Sequence, residues 1–268
     1  MSWWGKIVGG AFGFALGGPL GALLGVAFGH NLDRGLGKFT VLEGGLGEAS
    51  NERIQMAFFT ATFAVMGHIA KADGEVSRDE IEMANQVMER MNLKDEQRKL
   101  ARDLFKQGRD DTFPLDEVLE QFRQECHRRT TLLRMFMEIQ ISAAHADGDY
   151  SSSERNMLRR VCKGIGFSDH EFLHLESMVK AHFGSYSDGA STSGPARPTV
   201  ADAYAVLDVA SDASDAEVKK AYRRLMNQHH PDKLVSKGLP EEMMKLAAEK
   251  TNEIKQAYEA IKEQRDIR

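Results

Sequence analysis

The chain has 268 residues, room for two modest domains plus a segment or two, and its formal net charge of −5 argues against wholesale nucleic-acid binding. With 42% hydrophobic residues and a mean hydropathy of −0.41 it reads as mostly soluble, so any membrane part is local. Cys126 and Cys162 are isolated and lack C-x-x-C spacing, which suits a reducing compartment and excludes a cysteine zinc module.

From Ile7 to Gly29 run 23 residues without a charge, preceded by Trp3, Trp4 and Lys6 and followed by His30, Asp33 and Arg34. That length spans a bilayer core, and tryptophans at one end fit an interfacial belt, so a single transmembrane helix is expected over 7–30, behind a short extracytoplasmic stretch over 1–6. Gly9, Gly13, Gly17, Gly21, Gly25 and Gly29 recur at a period of four and share one helix face. Such a face lets two membrane helices approach closely, and a homodimer through it is expected. Ala27-Phe28-Gly29 also has the form of a signal-peptidase site, but the uncharged stretch is long for a signal peptide, and a retained anchor with Pro19 as its kink fits better. Lys6 on one side and Arg34 with Lys38 on the other leave the positive-inside count nearly balanced.

After a glycine-rich connector over 31–50, residues 51–183 carry helical periodicity throughout, with Pro114 at a helix start and no alternating strand pattern. Phe58, Phe59, Phe63 and Met66 mark one buried helix, and Leu132, Leu133, Met135, Phe136, Ile139 and Ile141 another. The segments Ala72-Asp73-Gly74-Glu75-Val76-Ser77-Arg78-Asp79-Glu80 and Ala146-Asp147-Gly148-Asp149-Tyr150-Ser151-Ser152-Ser153-Glu154 echo each other at an offset of 74. Gly74 and Gly148 suit left-handed helix ends, while Ser77 with Glu80 and Ser151 with Glu154 are capping boxes. Asp73, Glu75, Asp147 and Asp149 are left as metal candidates. Without the full oxygen-ligand spacing of an EF-hand, capped turns rank above a metal site, and no metal or other cofactor is expected.

Residues 184–199 are rich in Ser, Gly, Ala and Pro and read as a flexible linker that frees the last unit, 200–268, to search. In that unit Ser214-Asp215-Ala216-Glu217 is a capping box, and Pro231 forces the helix from Asp215 to stop near His229. Val218, Tyr222 and Leu225 form the packing face, opposite Lys220, Arg223 and Arg224. A second helix is expected from about Glu241 to Glu263, with Ala247, Thr251, Ile254, Tyr258 and Ile261 buried, and a loop over Leu234 to Leu239 before it. An enzymatic reading, His230 as base oriented by Asp232, lacks a nucleophile and an oxyanion site nearby. The chain is not expected to be an enzyme.

The triplet His230-Pro231-Asp232 between two such helices, after the basic run Lys219-Lys220-Ala221-Tyr222-Arg223-Arg224, resembles the signature of the J domain, with Tyr204-Ala205-Val206-Leu207 in place of its first helix. His229 departs from the pattern, standing where Tyr or Trp commonly precedes the triplet. The doubled A-D-G-x-x-S-x-x-E segment resembles the helical domain of the TerB type, for which acidic loop residues suggest metal binding. The order of membrane helix, TerB-like domain, linker and terminal J domain resembles the DjlA family of bacterial DnaJ-like proteins. That resemblance implies an all-α, single-pass inner-membrane co-chaperone that stimulates the ATPase of DnaK, the bacterial Hsp70, with most of the chain cytoplasmic and a role in envelope stress signalling and capsule induction. It implies that His230, Pro231, Asp232, Lys219, Lys220, Arg223, Arg224 and Lys233 meet Hsp70. A different class of function, a membrane-tethered metal or stress sensor acting through the TerB-like domain, is the competing expectation.

Overall fold

The structure is a computed structural model, and it describes residues 17–27, 46–72, 74, 78–91, 93–127, 129–145, 151–187, 200–240 and 243–265. Among these all regular structure is helical, as expected from the sequence. A short helix α1 covers 17–27, and a first unit comprises α2 (Leu46–Ala70), α3 (Arg78–Arg90), α4 (Asp95–Gly108), α5 (Leu115–Glu125), α6 (Thr130–His145), α7 (Ser152–Gly164) and α8 (Asp169–Ser187). A second unit holds α9 (Val200–Val206), α10 (Asp215–His229), α11 (Pro231–Val235) and α12 (Met244–Arg265).

Local chemistry sets these boundaries. Pro114 caps α5, and the Ser151 hydroxyl accepts from the Glu154 N–H while the Glu154 carboxylate accepts from the Ser151 N–H. Ser168 with Glu171 and Ser214 with Glu217 repeat the device on α8 and α10. Gly74 ends the turn after α2 at φ 110°, a conformation that favours glycine. The echoing capping box expected at Ser77 lies outside the described residues, as does Gly148.

The core of the first unit centres on α2, which is buried on all sides over its middle turns, and on α6. Phe58, Phe122 and Phe136 are wholly buried and pack with ring centroids 5.9, 6.4 and 4.7 Å apart. Each contributes roughly 1.5–3 kcal/mol by burial, with a further gain from edge-to-face geometry. The closest crossing is antiparallel, α2 against α4. A Cβ on Gly67 would lie 2.0 Å from the Phe105 carbonyl oxygen, and one on Gly108 only 1.8 Å from that of Ala64. Cys126 and Cys162 are buried, and burial pushes both thiols up to about 12, which leaves them unreactive.

Helix α1 buries Leu20, Leu23 and Ala27 against this core, and the Leu20 N–H donates 2.8 Å to the Gln121 side-chain oxygen on α5. Gly17, Gly21 and Gly25 stay half-buried, and a Cβ at Gly17 would meet nothing within 4 Å. Gly9, Gly13 and Gly29 lie outside the described residues, and no described helix is long and apolar enough to cross a membrane.

The second unit has its own small core of Tyr204, Val206, Leu207, Val218, Leu225, Ile254 and Ile261, flanked by the stacked rings of Tyr222 and Tyr258, 4.2 Å apart. Arg265 closes it, lying over the Tyr204 ring, donating 2.6 Å to the Tyr204 hydroxyl and bonding the Ser211 carbonyl oxygen. Two expectations differ from what is observed. The segment taken as a loop from Leu234 begins inside a short helix, because Pro231 is preorganised for a first helical position. Leu234, Leu239, Met243 and Ala247 join the core of the first unit, so the second unit is seated on the first. The 184–199 stretch, read as freeing the last unit to search, therefore connects two docked units, and its residues 188–199 lie outside the described ones.

Candidate functional site at the His-Pro-Asp turn

The backbone of the turn is fixed by its own sequence. Pro231 holds His230 at φ −59° and ψ 124°, so α10 cannot continue. The His230 carbonyl then accepts from the N–H groups of Lys233 and Leu234, each at 3.0 Å, which ties the triplet to α11. Leu234 below it is wholly buried. The side chains of His230 and Asp232 are 47% and 83% exposed, and His230 Nδ1 stands 4.0 Å from Asp232 Oδ2. That separation is beyond hydrogen bonding, so Asp232 does not orient the ring as an acid–base pair requires. The geometry suits a contact surface.

The basic residues do not act as one stripe. Lys220 and Arg223 are exposed and Lys219 is half-buried. Lys233 folds back onto the Asn227 side chain. Arg224 pairs with Asp208 at 2.8 Å, and Asp208 also meets His174 Nε2 of α8 at 3.2 Å. Asp208 adopts φ 57°, a left-handed conformation that Asp tolerates better than most residues. Burial works to raise its carboxyl, and the bonds and charges of His174 and Arg224 outweigh that and hold it below the ordinary value. Asp208 thus links the two units through His174, and Arg224 braces it from within the second unit.

His229, one residue before the triplet, is buried, and its Nε2 lies 3.9 Å from Glu138 Oε1 on α6. Burial holds the imidazole below its ordinary value, against the pull of Glu138. Lys250 and Glu253 of α12 pair nearby at 3.0 Å; burial works to lower the Lys250 ammonium, and Glu253 and Glu138 together raise it. The seat is completed by the Lys237 ammonium, 3.4 Å from the Thr131 hydroxyl, and by Gly238 at φ 97°, where a Cβ would lie 2.8 Å from Ile54 Cγ2.

Sequence reasoning placed the triplet but missed His229 as a seat residue. The signal was present, since His229 continues the face of Val218, Tyr222 and Leu225 at the next helical interval. Asp208, Glu138 and Arg265 carried no motif. The metal candidates Asp73, Glu75, Asp147 and Asp149 lie outside the described residues, and among the described ones no group of three His, Cys, Asp or Glu side chains could hold a metal.

Three families match the chain: the DnaJ domain over residues 202–268, the tellurite resistance protein TerB over 59–177, and the co-chaperone DjlA transmembrane domain over 1–39. The chain is 43% identical over 281 residues to the co-chaperone protein DjlA of Photobacterium profundum, with 99% of this chain and 100% of that relative covered. It is 44% identical over 271 residues to that of Coxiella burnetii and 44% over 285 residues to that of Vibrio cholerae, covering 100% of each chain in both cases. No solved structure matches significantly.

Proposed function

Since the chain belongs to the DjlA family of membrane-anchored J-domain co-chaperones, we propose that it stimulates ATP hydrolysis by a DnaK-type Hsp70 through the His230-Pro231-Asp232 turn. The observation that carries this reading is the exposure of His230 and Asp232 on a rigid turn while their neighbours His229 and Leu234 are buried. Docking of the second unit on the first leaves the turn open to solvent. Lys220 and Arg223, on the same helix, would steer an acidic Hsp70 surface toward it, with Lys219, Arg224 and Lys233 closer in. The decisive measurement is the DnaK ATPase rate with the full chain in detergent. His230→Gln should abolish stimulation and leave the helical signal and melting temperature within the roughly 0.5 kcal/mol typical of surface changes. A folded His230→Gln chain that stimulates fully overturns the proposal.

The anchor belongs to the same reading. A cytoplasmic Hsp70 requires residues after about Arg34 to face the cytoplasm, so protease added to spheroplasts should spare them. The glycine face would pair two copies within the membrane once α1 leaves its seat on the first unit, and Gly17→Leu with Gly21→Leu should then reduce cross-linking without preventing insertion. The family role in envelope stress signalling and capsule induction extends to this chain if raising its level, but not that of His230→Gln, induces capsule polysaccharide.

A further inference from the structure

Between α3 and α4, next to the end of α2, lies an open cleft of about 720 Å³. Its floor is apolar, made by Ala84, Met88 and Phe105, which are 3%, 2% and 6% exposed. Its rim is cationic. Arg102 and Lys106 stand at i and i+4 on α4, Arg109 follows as its C-terminal cap residue, and Lys71 reaches in from just past the end of α2. Asn85 faces Arg102 across the cleft and accepts from its Nε at 3.2 Å.

The described acids nearby do not cancel this charge. Asp110 turns its carboxylate onto its own loop, accepting from the Thr112 N–H at 2.9 Å and the Thr112 hydroxyl at 2.6 Å. Those two bonds hold it below the ordinary carboxyl value, so it stays ionised but engaged. Asp111 pairs with Lys71 from the solvent side and is 90% exposed. Among the described residues four cations stand against two carboxylates, one of them turned away, so this part of the rim is positive. Lys106 and Arg109 also sit where cations complement the C-terminal end of a helix dipole. Arg102, well inside α4, has no such reason to be there, and a merely solvated face does not need an apolar floor beneath it.

We propose that this cleft binds a small phosphate ester, with the phosphate held by Arg102 and Arg109 and the body of the ligand laid on Phe105 and Met88. Its volume falls within the roughly 300–1,000 Å³ of small-molecule sites, and the planar guanidinium fork matches phosphate oxygens in pairs. A soluble organic phosphate and a phospholipid headgroup share this chemistry. The site stands on the first unit alone and is independent of Hsp70 contact.

The test is calorimetric titration of the full chain in phosphatidylcholine nanodiscs with adenosine monophosphate and with pyrophosphate as probes. Binding of both is expected, weakening with salt, and Arg102→Gln combined with Arg109→Gln should lower affinity by at least about tenfold. Lys255→Glu, which changes the net charge by the same amount at an exposed site on α12, should leave it unaltered. If the double variant fails to fold, Arg109→Lys at the helix end should still weaken binding, because it keeps the charge and loses the fork. Repeating the titration in phosphatidylglycerol discs separates the sources: a weakened nucleotide affinity assigns the site to a headgroup, an unchanged one to a soluble phosphate. No binding of either probe, or equal loss with Lys255→Glu, overturns the proposal.

Discussion

Two contacts in this molecule are built around glycine, and they are made to different standards. Where α2 crosses α4, Gly67 and Gly108 each let a helix rest directly on the other's backbone, with no side chain between that could yield. Where the second unit sits on the first, Gly238 meets the side chain of Ile54, and two of the polar contacts are long, 3.9 Å for His229 to Glu138 and 3.4 Å for Lys237 to Thr131, with His174 to Asp208 closer at 3.2 Å. The first contact is a condition of folding. The second sets the buried side chains of Leu234, Leu239, Met243 and Ala247 beside polar contacts and a titratable group, a joint of mixed construction in which the polar part can loosen.

The largest effect should come from the first contact. Gly108→Ala places a Cβ against a carbonyl oxygen that only a shift of the whole helix could clear, so a loss of about 3 kcal/mol or more is expected, with Gly67→Ala close behind. Urea titration followed by the helical signal measures it. A change below about 1 kcal/mol at both positions would mean that the crossing yields after all and erase the contrast.

A middle-sized effect is expected at Gly238. Alanine there meets Ile54 and must take φ 97°, together costing about 1–2 kcal/mol. Its signature should be local. Hydrogen exchange at residues 234–247 should quicken while α2 and α4 keep their protection, and DnaK stimulation should persist because the His230 turn is not part of the seat. Uniform deprotection of both units would instead make the seat part of one cooperative core.

These two contacts also mark where sequence reading stops. The ends of α10 were legible because Ser214, Glu217 and Pro231 act on their own neighbours, and the buried stripes of α2 and α6 because burial repeats at the helical period. The crossing was not, since a glycine inside a helical pattern reads as a cost until its distance to another backbone is known. Ala247 was correctly read as buried but given to the wrong core, because periodicity identifies a buried face without saying what buries it. His229 was hidden by its polarity, and α11 by the loop character of the Leu234 to Leu239 stretch.

The smallest effect, and the one that isolates the joint, is its response to acid. His229 is faced by Glu138 and Arg134 from α6 and by Lys250 and Glu253 from α12, and burial keeps its folded-state value below that of the unfolded chain, near 6.5. Between those two values the opened state binds the additional proton, so the seat is at full strength above the unfolded value and weakens as pH falls below it, by no more than about 1.4 kcal/mol per pH unit for one group. Asp208, at the other edge of the seat, has a depressed carboxyl and begins to lose its contribution only as pH falls toward the ordinary carboxyl value of 3.8, below the pH range over which the joint is tested. His68 in the first unit is also lowered by burial and would tilt the stability of α2 and α4 in the same direction. The measurement must therefore be local: hydrogen exchange over residues 234–247 between pH 7.5 and 5.5, corrected for the intrinsic rate. Protection of this segment should fall with pH in the wild-type chain and become nearly flat in His229→Gln, whose amide cannot take up a proton. If His229→Gln keeps the full acid response, the seat is not governed by this histidine, and the joint opens for a reason other than the charge buried beside the turn.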